Sequence, residues 1–77
     1  MTLTAGEWTG LFATKLGIAP PSEEEKNRLL ELAGTAAHAS ERTAAPISCW
    51  LAARAGTDPA EASRLAKELA AELGAQD

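Results

Sequence analysis

Apolar residues recur along this chain at intervals of three and four, in four runs separated by prolines, glycines and capping residues. That interval is the period of an amphipathic helix. In the first run Trp8, Leu11, Phe12 and Leu16 form one apolar face. Thr4 and Glu7 stand ahead of it at capping-box spacing, and Gly17 is placed to close it in the left-handed conformation. This predicts a helix over residues 4–16. Pro20 and Pro21 then hold a stiff, extended connector through which helix cannot run.

Ser22 and Glu25 form a second capping box, and Glu23, Glu24 and Glu25 suit the positive end of a helix dipole. The predicted second helix spans residues 23–41, with Leu29, Leu30, Leu32, Ala33, Ala36 and Ala37 as its apolar face. Gly34 interrupts it at a cost of about 1 kcal/mol relative to alanine, and would let another helix approach closely. Pro46 fits the first position of a third helix over residues 46–55, with Ala45 held extended before it. There Ile47, Trp50, Leu51 and Arg54 share a side, and Gly56 ends the run. Asp58 and Glu61 are spaced as a third capping box around Pro59. They open a fourth helix over residues 59–73, whose inner stripe reads Ala62, Leu65, Ala66, Leu69, Ala70 and Leu73. No stretch alternates with the two-residue period of a strand. The expected fold is a single all-α domain over residues 1–77, a compact four-helix bundle with short connectors.

Composition refines this picture. Of 77 residues 45% are hydrophobic but only 4% aromatic, and much of the apolar share is alanine. Alanine favours helix yet buries little area. The core is therefore expected to be thin and anchored by Trp8, Trp50 and the leucines, with Trp8 and Pro46 in structural roles. The formal net charge of −4 and the scattered Lys and Arg residues argue against a nucleic-acid grip, which displaces phosphate counterions with a basic surface. A single cysteine makes no internal disulfide. The N-terminal residues have neither the basic nor the apolar region of a signal peptide. No run approaches the roughly 20 apolar residues that span a bilayer. A cytoplasmic protein without membrane contact is the expectation.

Candidate chemistry gathers in residues 36–50, which hold the only histidine and the only cysteine. On a continuous second helix His38 and Arg42 lie one turn apart on one face. Cations there suit the negative end of the dipole. The same pair could instead contact an anion or carboxylate, with Arg42 as the fork and His38 as a second donor. With Pro46 as the first helical residue, Cys49 falls in a first turn, where the dipole favours thiolate. A lone cysteine without a neighbouring base is otherwise a small buried hydrophobe. One histidine and one cysteine make no zinc set. The glutamates read as solvated helix faces, and no glycine-rich phosphate loop is present. No catalytic residues, metal or cofactor are therefore expected. His38, Arg42, Cys49 and Trp50 are the candidate ligand- or partner-binding residues. The expected role is a non-enzymatic accessory or protein-interaction module, and the alternative is a small-ligand or cofactor-handling site at His38, Arg42 and Cys49.

The segment LLELAGTAAHASERTAAPISCWLAARAG resembles the core of a small helical domain of unknown function of actinobacterial type. That family shows a leucine-rich helix, an Ala-His pair, Glu-Arg-x-Ala-Ala-Pro and a short apolar helix. The matching positions are Ala37, His38, Glu41, Arg42, Ala44, Ala45 and Pro46, and Trp8 and the alanine-rich last helix also fit. Two positions depart from the pattern: Thr43 stands where relatives often carry proline, and Trp50 where they often carry Phe or Leu. Members occur alone or fused to molybdenum cofactor guanylyltransferase. The resemblance therefore implies an accessory role in molybdenum cofactor maturation, that enzyme as a possible partner, and His38, Arg42 and Pro46 as motif residues.

Overall fold

The structure is a computed structural model and describes residues 2–74. Within it the chain forms four helices and no strand: α1 (Ala5–Leu16), α2 (Glu23–Ala39), α3 (Ala44–Arg54) and α4 (Pro59–Gly74). The expected all-α four-helix arrangement is present. Helix α2 is its axis, with α3 and α4 both packed against it.

The helix ends follow local chemistry. Both expected N-terminal capping boxes form. The Thr4 hydroxyl accepts from the Glu7 amide at 3.1 Å, and the Glu7 carboxylate accepts from the Thr4 amide at 2.8 Å. Ser22 and Glu25 repeat both distances. Gly17, at φ 75°, closes α1 while the Ile18 amide donates back to the Ala13 carbonyl at 3.0 Å. At α4 only half of the expected box forms. One Asp58 carboxylate oxygen accepts from the Ala60 and Glu61 amides at 2.8 and 3.1 Å. The Glu61 carboxylate instead takes a bidentate pair from Arg64, both bonds 2.8 Å long. A guanidinium fork one turn away outcompetes a single amide for that carboxylate.

The junction between α2 and α3 departs from the expected boundaries. Helix α2 ends at Ala39 rather than at residue 41, and Ser40 leaves helical geometry at φ −135°, ψ −99°. Glu41 and Arg42 lie in a tight turn whose carbonyls accept from the Ala44 and Ala45 amides at 2.9 and 3.1 Å. These bonds start α3 two residues before Pro46, which therefore occupies the third helical position. The first-turn amides lack partners within a helix. Here the turn satisfies two of them, and Pro46 has none to satisfy. Ala45 is helical rather than extended, the bonded turn overriding the preference set by the following proline.

The core differs from expectation. Its buried apolar residues are Ala13, Leu32 and Ala62. Neither tryptophan anchors it: Trp8 is 58% and Trp50 57% exposed. Helix α1 keeps Trp8, Leu11, Phe12 and Leu16 on one face, but that face points to solvent. Helix α1 packs little against the other helices, and its small residues Ala5, Gly6 and Thr9 line a hollow of about 250 Å³ together with Leu30 and Ala33 of α2. On α4 the buried positions are Ala62 and Ser63, while Leu65, Leu69 and Leu73 remain exposed. Leu30, expected on the inner face of α2, is also exposed. Gly34 has no atom within 4 Å of where a Cβ would stand, so it admits no close helix. Apart from Leu32 the buried side chains are small, and small side chains let helix axes approach where large ones do not.

One polar clamp joins α2 to α4. Ser63, 2% exposed, donates its hydroxyl to Glu31 at 3.1 Å. Arg28 and Lys67 flank the same carboxylate oxygen at 3.2 and 3.7 Å. The Ser63 hydroxyl, followed by the Arg28 guanidinium, holds the Glu31 carboxyl below its ordinary range.

Candidate functional site

The candidate residues belong to three different settings. His38 sits in the last turn of α2 and is exposed. Arg42 follows in the turn, also exposed. Since α2 ends between them, the shared helical face expected for this pair does not form. Neither side chain has a hydrogen-bond or ion-pair partner among the described residues.

Cys49 lies in the second turn of α3 and faces α2, its Sγ 3.9 Å from the Leu29 carbonyl oxygen. Partial burial pushes its thiol above the ordinary value, the direction opposite to activation at a helix start. Leu29 and His38 are nine residues apart along α2, about 13 Å at the α-helical rise. Cys49 is thus set against the middle of the structure, and His38 and Arg42 mark its α2–α3 corner. Among the described residues no group of three His, Cys, Asp or Glu side chains is arranged to hold a metal ion. No helix of the described residues is long and apolar enough to cross a membrane.

Trp50 belongs to the outer side of α3, away from α2. It shares that side with Ile47, Leu51 and Arg54, all exposed. The Arg54 guanidinium lies over the indole, 5.1 Å from the ring centroid, a cation–π contact. No acidic residue occurs from Arg42 to Thr57, although the chain as a whole carries −4. The outer side of α3 is therefore an apolar strip with Arg42 before it and Arg54 within it, on an otherwise acidic molecule.

Two further apolar surfaces were read as core from the sequence. On α1, Trp8 and Phe12 stack with ring centroids 6.0 Å apart and planes 16° from parallel. Between α3 and α4 runs a groove made of two hollows, about 240 and 190 Å³, that share Ser48. Leu32 and Ala36 form its floor, with Leu51 on one wall and Leu65 and Leu69 on the other. Periodicity marks these leucines as apolar but does not say whether a neighbour covers them. The available signal is the alanine content: on α4 Ala62 is buried and Ala66 and Ala70 are half-buried, while the leucines beside them stay exposed.

The accessible surface totals 5976 Å², about a third more than the roughly 4,500 Å² of a compact single chain of this mass.

Comparison with known protein families places the chain in one of them. It belongs to the family described as a domain of unknown function, DUF6457, whose model matches residues 2–77. No curated protein and no solved structure matches it.

Proposed function

We propose that this domain is a non-enzymatic interaction module that binds a partner protein through the outer side of α3. The observation that carries this reading is the exposed Trp50–Arg54 pair, set in an apolar strip without acidic residues on an acidic chain. Tryptophan and arginine are the residue types most enriched where binding energy concentrates. Ile47 and Leu51 extend the apolar centre, and Arg42, with His38 at the same corner, supplies a polar rim. The matching partner surface is an apolar pocket for the indole edged by carboxylates. Cys49 contributes packing beneath the strip, and Pro46 sets the start of the helix that displays it.

The partner we propose is molybdenum cofactor guanylyltransferase, with the domain as an accessory to molybdenum cofactor maturation. This identification rests on the family resemblance carried by Ala37, His38, Glu41, Arg42 and Pro46. The test is isothermal titration of the purified domain against that enzyme at two salt concentrations. Binding should weaken at least about tenfold in Trp50→Ala, the loss of one strong contact residue. The Arg42→Ala, Arg54→Ala double variant should lose most of the salt dependence. Binding that is indifferent to Trp50→Ala refutes the α3 surface. A wild-type domain that does not bind the guanylyltransferase refutes the pathway assignment.

A further inference from the structure

Helices α3 and α4 are both packed against α2, whereas α1 shares few contacts with any of them. The Ser63 hydroxyl bonds α4 to Glu31 of α2, and the Cys49 thiol of α3 reaches the Leu29 carbonyl. The hydroxyls of α1 bond only within the helix, Thr9 to the Ala5 and Gly6 carbonyls and Thr14 to the Gly10 carbonyl. Of its residues Ala13 alone is buried. By itself α1 does not hold its shape. It has 12 residues, at the lower edge of the roughly 12–15 at which an isolated helix is even marginal in water, and Gly10 in its middle weakens it further. The helix nevertheless covers something. Ala5, Gly6 and Thr9 wall the hollow of about 250 Å³ together with Leu29, Leu30 and Cys49. A second hollow, about 440 Å³, is walled by Ile18 and Ala19 of the connector that follows α1. The two share Pro21, Leu29 and Cys49, so they form one largely apolar cleft with the thiol at their junction.

We infer that α1 is a lid on this cleft: it detaches and melts as a unit, baring Cys49, while α2, α3 and α4 stay packed. Segments with few buried apolar contacts are the ones that open locally, below the free energy of global unfolding. The boundary of the unit is built into the chain. Gly17, at φ 75°, ends α1, and Pro20 and Pro21 keep helix from running on. Ser22 and Glu25 complete the capping box of α2 without any α1 residue. Loss of α1 therefore removes no cap from the axis on which the other helices pack. Access to the cleft and its thiol is thus governed by the folding of one short helix. The lid is separate from the Trp50–Arg54 strip on the outer side of α3, so this inference and the proposed function fail independently.

The test is the rate at which a maleimide modifies Cys49 in the folded full chain, followed by mass spectrometry in wild type and in Gly10→Ala, Ala13→Gly and Gly34→Ala. The reagent is kept dilute, where the rate is proportional to its concentration and reports the population of the open form. Gly10 has open space where a Cβ would stand, so alanine there strengthens α1 alone. It should slow labelling about fivefold, the helix-propensity difference expressed as an equilibrium constant. Ala13→Gly weakens α1 and removes its buried methyl, and should speed labelling at least about fivefold. Gly34→Ala strengthens α2, which stays folded in the open form, and should leave the rate unchanged. Amide exchange in α1 should shift by the same factors as the labelling. Equal slowing by Gly10→Ala and Gly34→Ala overturns the inference, because Cys49 would then be reached only through global unfolding. A labelling rate that neither α1 variant changes also overturns it, because the reagent would then reach the thiol past a closed α1. Gly10→Ala and Gly34→Ala both add helix propensity at open positions, so the comparison between them stands even if Ala13→Gly fails to fold.

Discussion

Among the described residues Leu32 is the only large apolar side chain in the buried core, at 4% exposure, and its truncation tests where the stability of this domain resides. Fully burying a leucine contributes about 1.5–3 kcal/mol, and Leu→Ala in cores costs about 2–5 kcal/mol once the cavity is included. The low end applies here. Leu32 floors a hollow of about 240 Å³, so truncation enlarges an existing space instead of opening a sealed one. The expected cost is about 2.5 kcal/mol. A domain of this size has roughly 4–12 kcal/mol in total, and an alanine-built core belongs near the bottom of that range. Leu32→Ala should thus remove about half of the stability and lower Tm by about 10–20 °C. The assay is urea and thermal unfolding followed by far-UV circular dichroism at one fixed, dilute protein concentration, because association shifts apparent stability. The controls are Trp8→Ala and Trp50→Ala. Both indoles are more than half exposed, so each variant should stay within about 1 kcal/mol of wild type, Trp50→Ala losing mainly its cation–π contact. Equal losses from leucine and tryptophan truncation would refute the core assignment.

Gly34→Ala should stabilise the fold by about 1 kcal/mol, since its Cβ meets open space in mid-helix; a destabilised variant would mean that an uncharted neighbour occupies that space. Ser22→Ala should cost about 1 kcal/mol of global stability, because α2 is the axis on which α3 and α4 pack. Thr4→Ala should only speed amide exchange in α1, which carries little of the packing. Equal global effects from the two cap variants would contradict that division. Glu7, Glu31 and Glu61 are held below the ordinary glutamate value by Thr4, Ser63 and Arg64 respectively. Their contribution is complete above about pH 4.5, their unperturbed value, and is lost as pH falls through the depressed folded values. Tm should therefore be flat from neutrality to about pH 5 and decline below it. In Ser63→Ala the Glu31 titration followed by NMR should move upward, and an unmoved midpoint would refute the clamp. Half-buried Cys49, with its thiol pushed up, should react with a maleimide at neutral pH more slowly than a free thiol, and regain the ordinary rate in urea. A native thiol as fast as the unfolded one would refute that burial.

The elements were legible in the sequence because each boundary carries a residue whose chemistry acts locally. Thr4, Ser22 and Asp58 accept from amides two or three positions on, whatever the rest of the chain does. Gly17 and Gly56 adopt positive φ where a side chain would be strained. The α2–α3 junction was misread because a turn bonded through Glu41 and Arg42 supplies the amide partners that a helix start at Pro46 would otherwise lack. That two-residue shift moves Cys49 out of the first turn and separates His38 from Arg42. Facing was the least legible property. Periodicity groups Trp8, Leu11, Phe12 and Leu16 correctly, yet an apolar face carries no mark of its covering surface. The Ser63–Glu31 bond, 32 residues apart in sequence, had only the weak signal of a hydroxyl set among core-facing alanines.

Alanine content accounts for both the fold and the exposed surfaces. A helix pair that meets through methyl groups brings its axes close, and side chains flanking the contact cannot then be buried between them. On α4 this sorts the apolar set in two, with Ala62 buried and Leu65, Leu69 and Leu73 left at the margin. On α1 Ala13 is buried while Trp8, Phe12 and Leu16 are exposed. Replacing the packing alanines with larger residues would push the helices apart by side-chain volume and give the leucines room to turn inward, at the cost of strain. The sequence instead keeps most of its large apolar side chains exposed. A partner that covers exposed apolar faces adds to stability by mass action, which is the physical basis for the partner proposed at α3.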